Sequence, residues 1–377
     1  MTQDVNKVPA VSTGKRTHRI DDEVINPSVE RASTLPSEFY IDPKHEEVER
    51  KNIFWRTWQI VGRAEQVSKP CEYFTANLCG EPLLIVRDQK NELRCFYNVC
   101  RHRAGPPAEG CGSRKVFRCG YHGWTYGLDG RLVNAPEMDG TEDFRFEDFR
   151  LRSVRVEEWE GQVFVNLDEN AESLRESLRD LPQQTGKFRF GEMRLAGRRD
   201  YHMRCNWKVY IDNYLEGYHL PSVHPSLNRE LDYNAYVTSL FERHSLQTSP
   251  IRGPENEASV ERRYKQGSSD MAAEYYWIFP NWMLNCYPDN ISLNIVLPTG
   301  PETCVAIFEW YFLPERMAAA EETMKFSDEI QLEDGRICET VHGNLKSQSY
   351  DRGRYSVKQE KCLHHFHRLY AGTMGLG

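Results

Sequence analysis

CRHRAGPPAEGCGSRKVFRCGYHGWTYGLDGRL, residues 100–132, carries two short pairs of potential metal ligands, Cys100-x-His102 and Cys119-x-x-His122, with sixteen residues between them. Each pair stands where one β-type run gives way to the next, at a turn. Two cysteines on one iron and two histidines on the other are the ligand set of one kind of 2Fe–2S cluster, and folding must bring both turn tips together to hold it. A structural zinc site takes the same residue types. Zinc sites usually keep Cys with Cys and His with His, whereas each half here supplies one of each.

Outward from this stretch, residues 55–166 read as short strands separated by Gly, Pro and Asp turns: WQIVG (58–62), CEYFTANL (71–78), PLLIVRD (82–88), RCFYNVC (94–100) and SVRVEEWEGQVFVNL (153–167). The pattern predicts a small all-β domain. After Asn166 the chain turns charged and helix-compatible (ENAESLRESLRDLPQQ, 169–184), followed by an aromatic helix expected from Asn206, its N-cap, to His219. Strand signals return at 274–288, 291–300 and 303–314, and a long helix is expected from about Arg316 to Lys346. Helices against an antiparallel sheet make the fold class α+β. The expected division is 1–45, a loosely structured arm that also contributes to the second domain; 46–166, the β domain; and 167–377, the second domain.

The 48 Lys+Arg against 56 Asp+Glu give a net charge of -8, and no polybasic run stands out, which argues against a nucleic-acid partner. No stretch of ~18 apolar residues offers a membrane span, and no signal-like core opens the chain, so a cytoplasmic protein with no membrane partner is expected. Eleven cysteines, an odd number, read as reduced thiols and metal ligands. Cys71, Cys79, Cys95 and Cys111 match no ligand pattern and are expected to be buried structural thiols.

A second centre is suggested by DNYLEGYHLPSVHP (212–225). Two histidines and a carboxylate on one face of a non-haem Fe(II) leave positions open for oxygen. His219 and His224, five apart, would diverge by about 140° on a continuous helix, and Pro221 is expected to end the helix so that His224 folds back. Taken bare, such a pair is more often packed or exposed than metal-bound. Asp334 lies in helical register with Ile330, Cys338, Val341 and Leu345, where an acid is costly unless paired or metal-bound. Glu333 fits that stripe less well, and a solvated helix charge is the plainer reading of both. Glu216, three residues before His219, is placed to orient the imidazole through its free ring nitrogen.

The cluster segment resembles the Rieske domain of the ring-hydroxylating oxygenase family. DNYLEGYHLPSVHP and LEDGRICETVHGNLKS (332–347) resemble that family's iron-binding segment and C-terminal ligand helix. The cytochrome bc type of Rieske domain has an extra cysteine in each loop, where this chain has Gly105 and Tyr121. The resemblance implies a catalytic domain of helix-grip type. It also implies one 2Fe–2S cluster on Cys100, His102, Cys119 and His122, and one Fe(II) on His219, His224 and Asp334. Glu216 would link His219 to His122 of a neighbouring subunit in a homotrimer, and Asp212 would position water or substrate. Most members have Asp where this chain has Glu216; Glu is associated with relatives acting on quaternary ammonium compounds such as carnitine and betaine.

The implied activity is that of a terminal oxygenase using O2 and electrons from a separate NAD(P)H reductase of flavin and iron–sulfur type, because no dinucleotide-binding fingerprint follows a strand. A quaternary ammonium substrate, monooxygenated or N-demethylated, is the expectation, with aromatic ring hydroxylation as the alternative. A pure electron carrier is the alternative from another class, disfavoured by more than two hundred residues beyond the cluster domain. A small β subunit is less expected than a homo-oligomer. Trp277, Phe279, Trp282, Tyr287, Trp310 and Tyr311 are candidates for an aromatic cage around a trimethylammonium group. His364, His365 and His367 are read as structural or surface residues.

Overall fold

Alternating β-branched and aromatic residues in the first half pair as antiparallel strands. They are β1 (Gln59–Arg63), β2 (Glu72–Leu78), β3 (Glu81–Arg87), β4 (Leu93–Tyr97), β5 (Cys111–Ser113), β6 (Val116–Arg118), β7 (Thr125–Gly127), β8 (Leu132–Asn134), β9 (Ser153–Trp159) and β10 (Gln162–Asn166). This computed structural model describes residues 26–250, 272–288 and 290–376; the start of the expected N-terminal arm lies outside them. A seven-stranded sheet runs in the order β1-β10-β9-β4-β3-β2-β5, and β6-β7-β8 form a three-stranded sheet of their own. The β6–β7 turn carries Cys119 and His122, and Phe117, Tyr126 and Leu132 of this sheet pack with Tyr73, Leu84 and Phe96 of the larger one. Gly161, at φ +76, closes the tight β9–β10 turn in a conformation that disfavours side chains.

The second domain is one antiparallel sheet of β11 (Arg194–Met203), β12 (Val237–Leu240), β13 (His244–Pro250), β14 (Ala272–Ile278), β15 (Trp282–Cys286), β16 (Asn290–Gly300) and β17 (Thr303–Phe312), ordered β11-β17-β16-β15-β14-β13-β12. Helices α1 (Trp207–Tyr214), α2 (Leu220–Val223), α3 (Pro225–Glu230), α4 (Ala320–Asn344) and α5 (Lys361–Met374) complete it. Trp277, Met283, Phe308 and Trp310 on one face of the sheet pack with Trp207 and Ile211 of α1, Cys338 of α4 and Phe366 of α5. Tyr276, Ile278, Trp282 and Leu284 on the other face pack against Trp58 and Phe164 of the small domain and against Leu174 and Leu178. The sheet is therefore buried on both faces, and its strands carry apolar residues on both. The fold class is α+β, an all-β domain joined to a sheet that grips its helices.

Part of the described N-terminal segment packs into this core, and so do Ile53 and Phe54 from the span expected to belong to the β domain. Ala32, Leu35, Phe39, Tyr40, Ile53 and Phe54 are buried with α1 and α5. Glu49 meets the Lys208 ammonium in an ion pair where both side chains are almost fully buried. Trp207 Nε1 and the Tyr370 hydroxyl also donate to Glu49, at 2.7 and 2.6 Å. Burial lowers the Lys208 pKa, against the opposing pull of Glu49. Among the described residues no helix is long and apolar enough to cross a membrane.

Candidate metal centres

The turn after β4 and the β6–β7 turn each close on their own backbone. Cys100 N donates to Gly105 O at 2.9 Å, and Cys119 N donates to Trp124 O at 2.9 Å. Both sulfurs are buried, whereas His102 and His122 are exposed, with ring centroids 4.6 Å apart. Trp124 stacks on His102 at 4.8 Å. A Cβ on Gly105 would lie 2.9 Å from Cys119 Sγ and 3.2 Å from Tyr121 Cβ, so only glycine lets the two tips approach this closely. The Tyr126 hydroxyl lies 3.2 Å from Cys100 Sγ and accepts from Arg101 N at 2.9 Å.

Burial pushes the Cys119 thiol up, and the neighbouring Cys100 sulfur pushes it further. Two buried sulfurs facing two outward imidazoles are a donor set that fits the two irons of such a cluster. Of the other cysteines, Cys95 is buried and Cys71 and Cys79 partly so, as expected of packed thiols. Cys111 is not: it is exposed, on the short edge strand β5, which has no covering layer.

In the second domain, Asn206 caps α1 as expected, its side chain accepting from Lys208 N at 3.1 Å. The helix stops at Tyr214, five residues before the expected end. Glu216 accounts for the early stop. Its Oε2 accepts from the backbone N–H groups of Tyr218 and of His219, the latter at 3.1 Å, so the side chain takes donors a continuing helix would use. Pro221 consequently sits in the first turn of α2, where proline is tolerated, rather than acting as a terminator. His219 precedes α2, and His224 stands at the junction of α2 and α3.

This geometry sends both histidines toward α4. Asp334 Oδ1 is 2.9 Å from His224 Nε2 and 3.7 Å from His219 Nε2, and the three residues offer ligand atoms all within 4.8 Å of one another. Each imidazole is held from behind by a carboxylate at its other nitrogen. Glu216 Oε1 lies 2.6 Å from His219 Nδ1, and Glu333 Oε2 lies 2.7 Å from His224 Nδ1. Asn213 Nδ2 donates to Asp334 Oδ1 at 2.7 Å.

Burial acts to lower the His224 pKa, but hydrogen bonds and negative charge from Asp334 and Glu333 outweigh it and raise it. Convergent Nε2, Nε2 and Oδ1 atoms, each backed by a second contact, fit a divalent iron with three open positions. Sequence reading undervalued Glu333 and passed over Asn213. For Glu333 the signal was its place beside Asp334 on α4; for Asn213 it was a position six residues before His219 in the same segment.

A cavity of about 100 Å³ opens beside these ligands. Its aromatic lining is Tyr210, Tyr214, Tyr236 and Tyr275, and none of the six residues expected to form a cage borders it. Trp277, Phe279 and Trp310 pack in the helix-side core, Trp282 and Tyr311 lie on the opposite face, and Tyr287 meets Tyr275 through their hydroxyls at 3.2 Å. Burial raises the phenol pKa values of Tyr214 and Tyr236, keeping them neutral.

Asp212, expected to position water or substrate, does not line this cavity. It accepts from the Tyr40 hydroxyl at 2.6 Å, sits 3.0 Å from His367 Nε2, and borders a second cavity of about 330 Å³ that also touches Glu216 and His219. His364 and His367 are buried structural residues rather than surface ones.

The description "ring hydroxylating alpha subunit (catalytic domain)" fits residues 190–375, and "Rieske [2Fe-2S] domain" fits residues 57–149. The chain is 36% identical to the chloroplastic choline monooxygenase of Arabidopsis thaliana, over 90% of this chain and 83% of that protein. It is 30% identical to the carnitine monooxygenase oxygenase subunit of Escherichia coli (strain K12), over 91% of this chain and 94% of that protein. The crystal structure of the quaternary ammonium Rieske monooxygenase CntA with L-carnitine superimposes with a TM-score of 0.81 at 28% identity, covering 96% of this chain and 99% of that one.

Proposed function

Because the chain belongs to the Rieske ring-hydroxylating oxygenase family, and is thus an iron-dependent oxygenase with one 2Fe–2S cluster and one mononuclear iron, we propose that its substrate is a small quaternary ammonium compound, monooxygenated or N-demethylated with O2. The observation that carries this reading is the composition of the iron-side cavity. Four tyrosines line it, and no Lys or Arg does so among the described residues. Tyrosine faces attract a cation with no N–H to donate, and a nearby Lys or Arg would repel it.

Cys100, His102, Cys119 and His122 hold the cluster, and His219, His224 and Asp334 hold the iron. When bound, the cluster supplies single electrons and the iron supplies the oxygen-activating centre. Glu216 and Glu333 fix the tautomers of the two histidines, so that Nε2 of each faces the metal. Electrons come from NAD(P)H through a separate flavin and iron–sulfur reductase. Copies assemble as a homotrimer in which the exposed His122 of one meets Glu216 of the next.

The test is a single turnover of dithionite-reduced holoenzyme with O2, offered quaternary amines and simple aromatics, with products identified by mass spectrometry. A hydroxylated or demethylated amine is expected. A hydroxylated arene with no amine product would overturn the substrate class.

A further inference from the structure

A third cavity, of about 90 Å³, adjoins the iron-side cavity between α4 and the sheet, and Leu227, Tyr275, Asn285, Ile330 and Gln331 border both. Beyond them it is bounded by Ser292 of β16, Trp310 of β17 and Ser327 of α4, among others, with no charged residue among its described lining. Three of the five shared residues are tied down by hydrogen bonds. Asn285 Oδ1 accepts from the Tyr214 hydroxyl at 2.7 Å, Gln331 Oε1 accepts from the Tyr210 hydroxyl, and the hydroxyls of Tyr275 and Tyr287 meet at 3.2 Å. The other two are apolar and are held by packing alone. Leu227, three residues after His224 on α3, belongs to a small cluster with Leu231, Ala273 and Tyr275. Ile330 is buried one turn before Asp334 on α4, and therefore on the same face of that helix.

One branched side chain thus reaches the boundary from α3 and another from α4. We infer that Leu227 and Ile330 form a partition that sets the greatest length of substrate, by closing the third cavity off from the iron-side one. This rests on the quaternary ammonium reading and adds a limit on length to it. Asn285 and Gln331 cannot be cut back without stranding a tyrosine hydroxyl, whereas the two apolar residues can be shortened with no donor or acceptor left unpaired. Shortening either one joins spaces of about 100 and about 90 Å³, nearly doubling the room beside the iron ligands. Leu227 and Ile330 are specificity residues on this view, and the limit holds whichever end of the substrate faces the iron.

The test measures the binding of ethyl-, butyl-, hexyl- and octyltrimethylammonium to reduced, anaerobic holoenzyme by calorimetry. A buried methylene is worth about fourfold in affinity, so affinity in the unaltered protein should climb at that rate and then level off within the series, where the chain meets the partition. Ile330→Ala and Leu227→Ala should each raise the ratio of octyl to ethyl affinity about 16-fold, the worth of two further methylenes, at unaltered cluster absorbance and iron content. Adding Ser327→Leu to Ile330→Ala refills the third cavity and should bring the original break back.

An unbroken climb through the octyl compound in the unaltered protein would overturn the inference without recourse to any variant, and would leave the quaternary ammonium reading intact. Variants that keep the original break would overturn it too. So would variants that weaken every member of the series alike, which is the mark of a purely structural role. Failure of every member to bind would remove both readings.

Discussion

The two candidate iron centres are built on opposite plans. The proposed cluster ligands sit on two turns, one of them at the end of a small sheet, sulfurs inward and imidazoles in solvent. The mononuclear ligands sit between a helix break and α4, with His224 and Asp334 buried and a cavity at their side. A centre that only passes electrons works best near the surface, within reach of a donor and an acceptor. A centre that activates oxygen needs substrate close and water limited. The tip is held by backbone turns and one permissive glycine, whereas the buried centre is held by carboxylates behind each imidazole.

Breaking one centre should leave the other intact. Asp334→Ala is expected to have the largest effect: turnover lost, with iron falling from about three to about two per chain and the cluster spectrum unchanged, as read by metal analysis and absorbance. A parallel loss of the cluster would show that the two sites are not independent. Glu216→Gln keeps the shape of the side chain but removes its charge behind His219; single-turnover oxidation of the cluster should slow about 10- to 100-fold with the cluster spectrum intact. Normal rates in that variant would defeat the bridging role.

Glu333→Gln tests whether the support behind His224 matters as much. Iron affinity should fall roughly tenfold in an equilibrium titration, because His224 keeps its metal-facing Nε2 but loses the carboxylate charge behind Nδ1. The smallest effect is expected at the tip. Tyr126→Phe removes the hydroxyl beside Cys100 Sγ and should lower the cluster potential by about 40 mV, equivalent to about 1 kcal/mol, in a spectroelectrochemical titration. An unchanged potential would mean that the hydroxyl does not donate to the sulfur.

The same contrast explains what was legible in the sequence. Pairs confined to short turns announce themselves by spacing, so the proposed ligands Cys100, His102, Cys119 and His122 could be picked out directly. Asp334 was readable because an acid on an apolar helical stripe is conspicuous. Glu333 was not, since its partner lies 109 positions away. The end of α1 was misplaced because periodicity does not show a side chain competing for the backbone, as Glu216 does. The aromatic set failed for a different reason. In a sheet buried on both faces, apolar residues fill both, and alternation no longer tells which side borders the cavity.

The Glu49–Lys208 pair has a consequence for the order in which the protein is made. Every residue of the cluster domain has been synthesised once position 166 has emerged, so that domain can close and take up its irons on the nascent chain. The Glu49 carboxylate must wait, first for Lys208 and Trp207 and then for Tyr370 of the last helix. Asp334 arrives almost as late. The cluster domain can therefore close before the residues of the oxygen-activating centre have all been made.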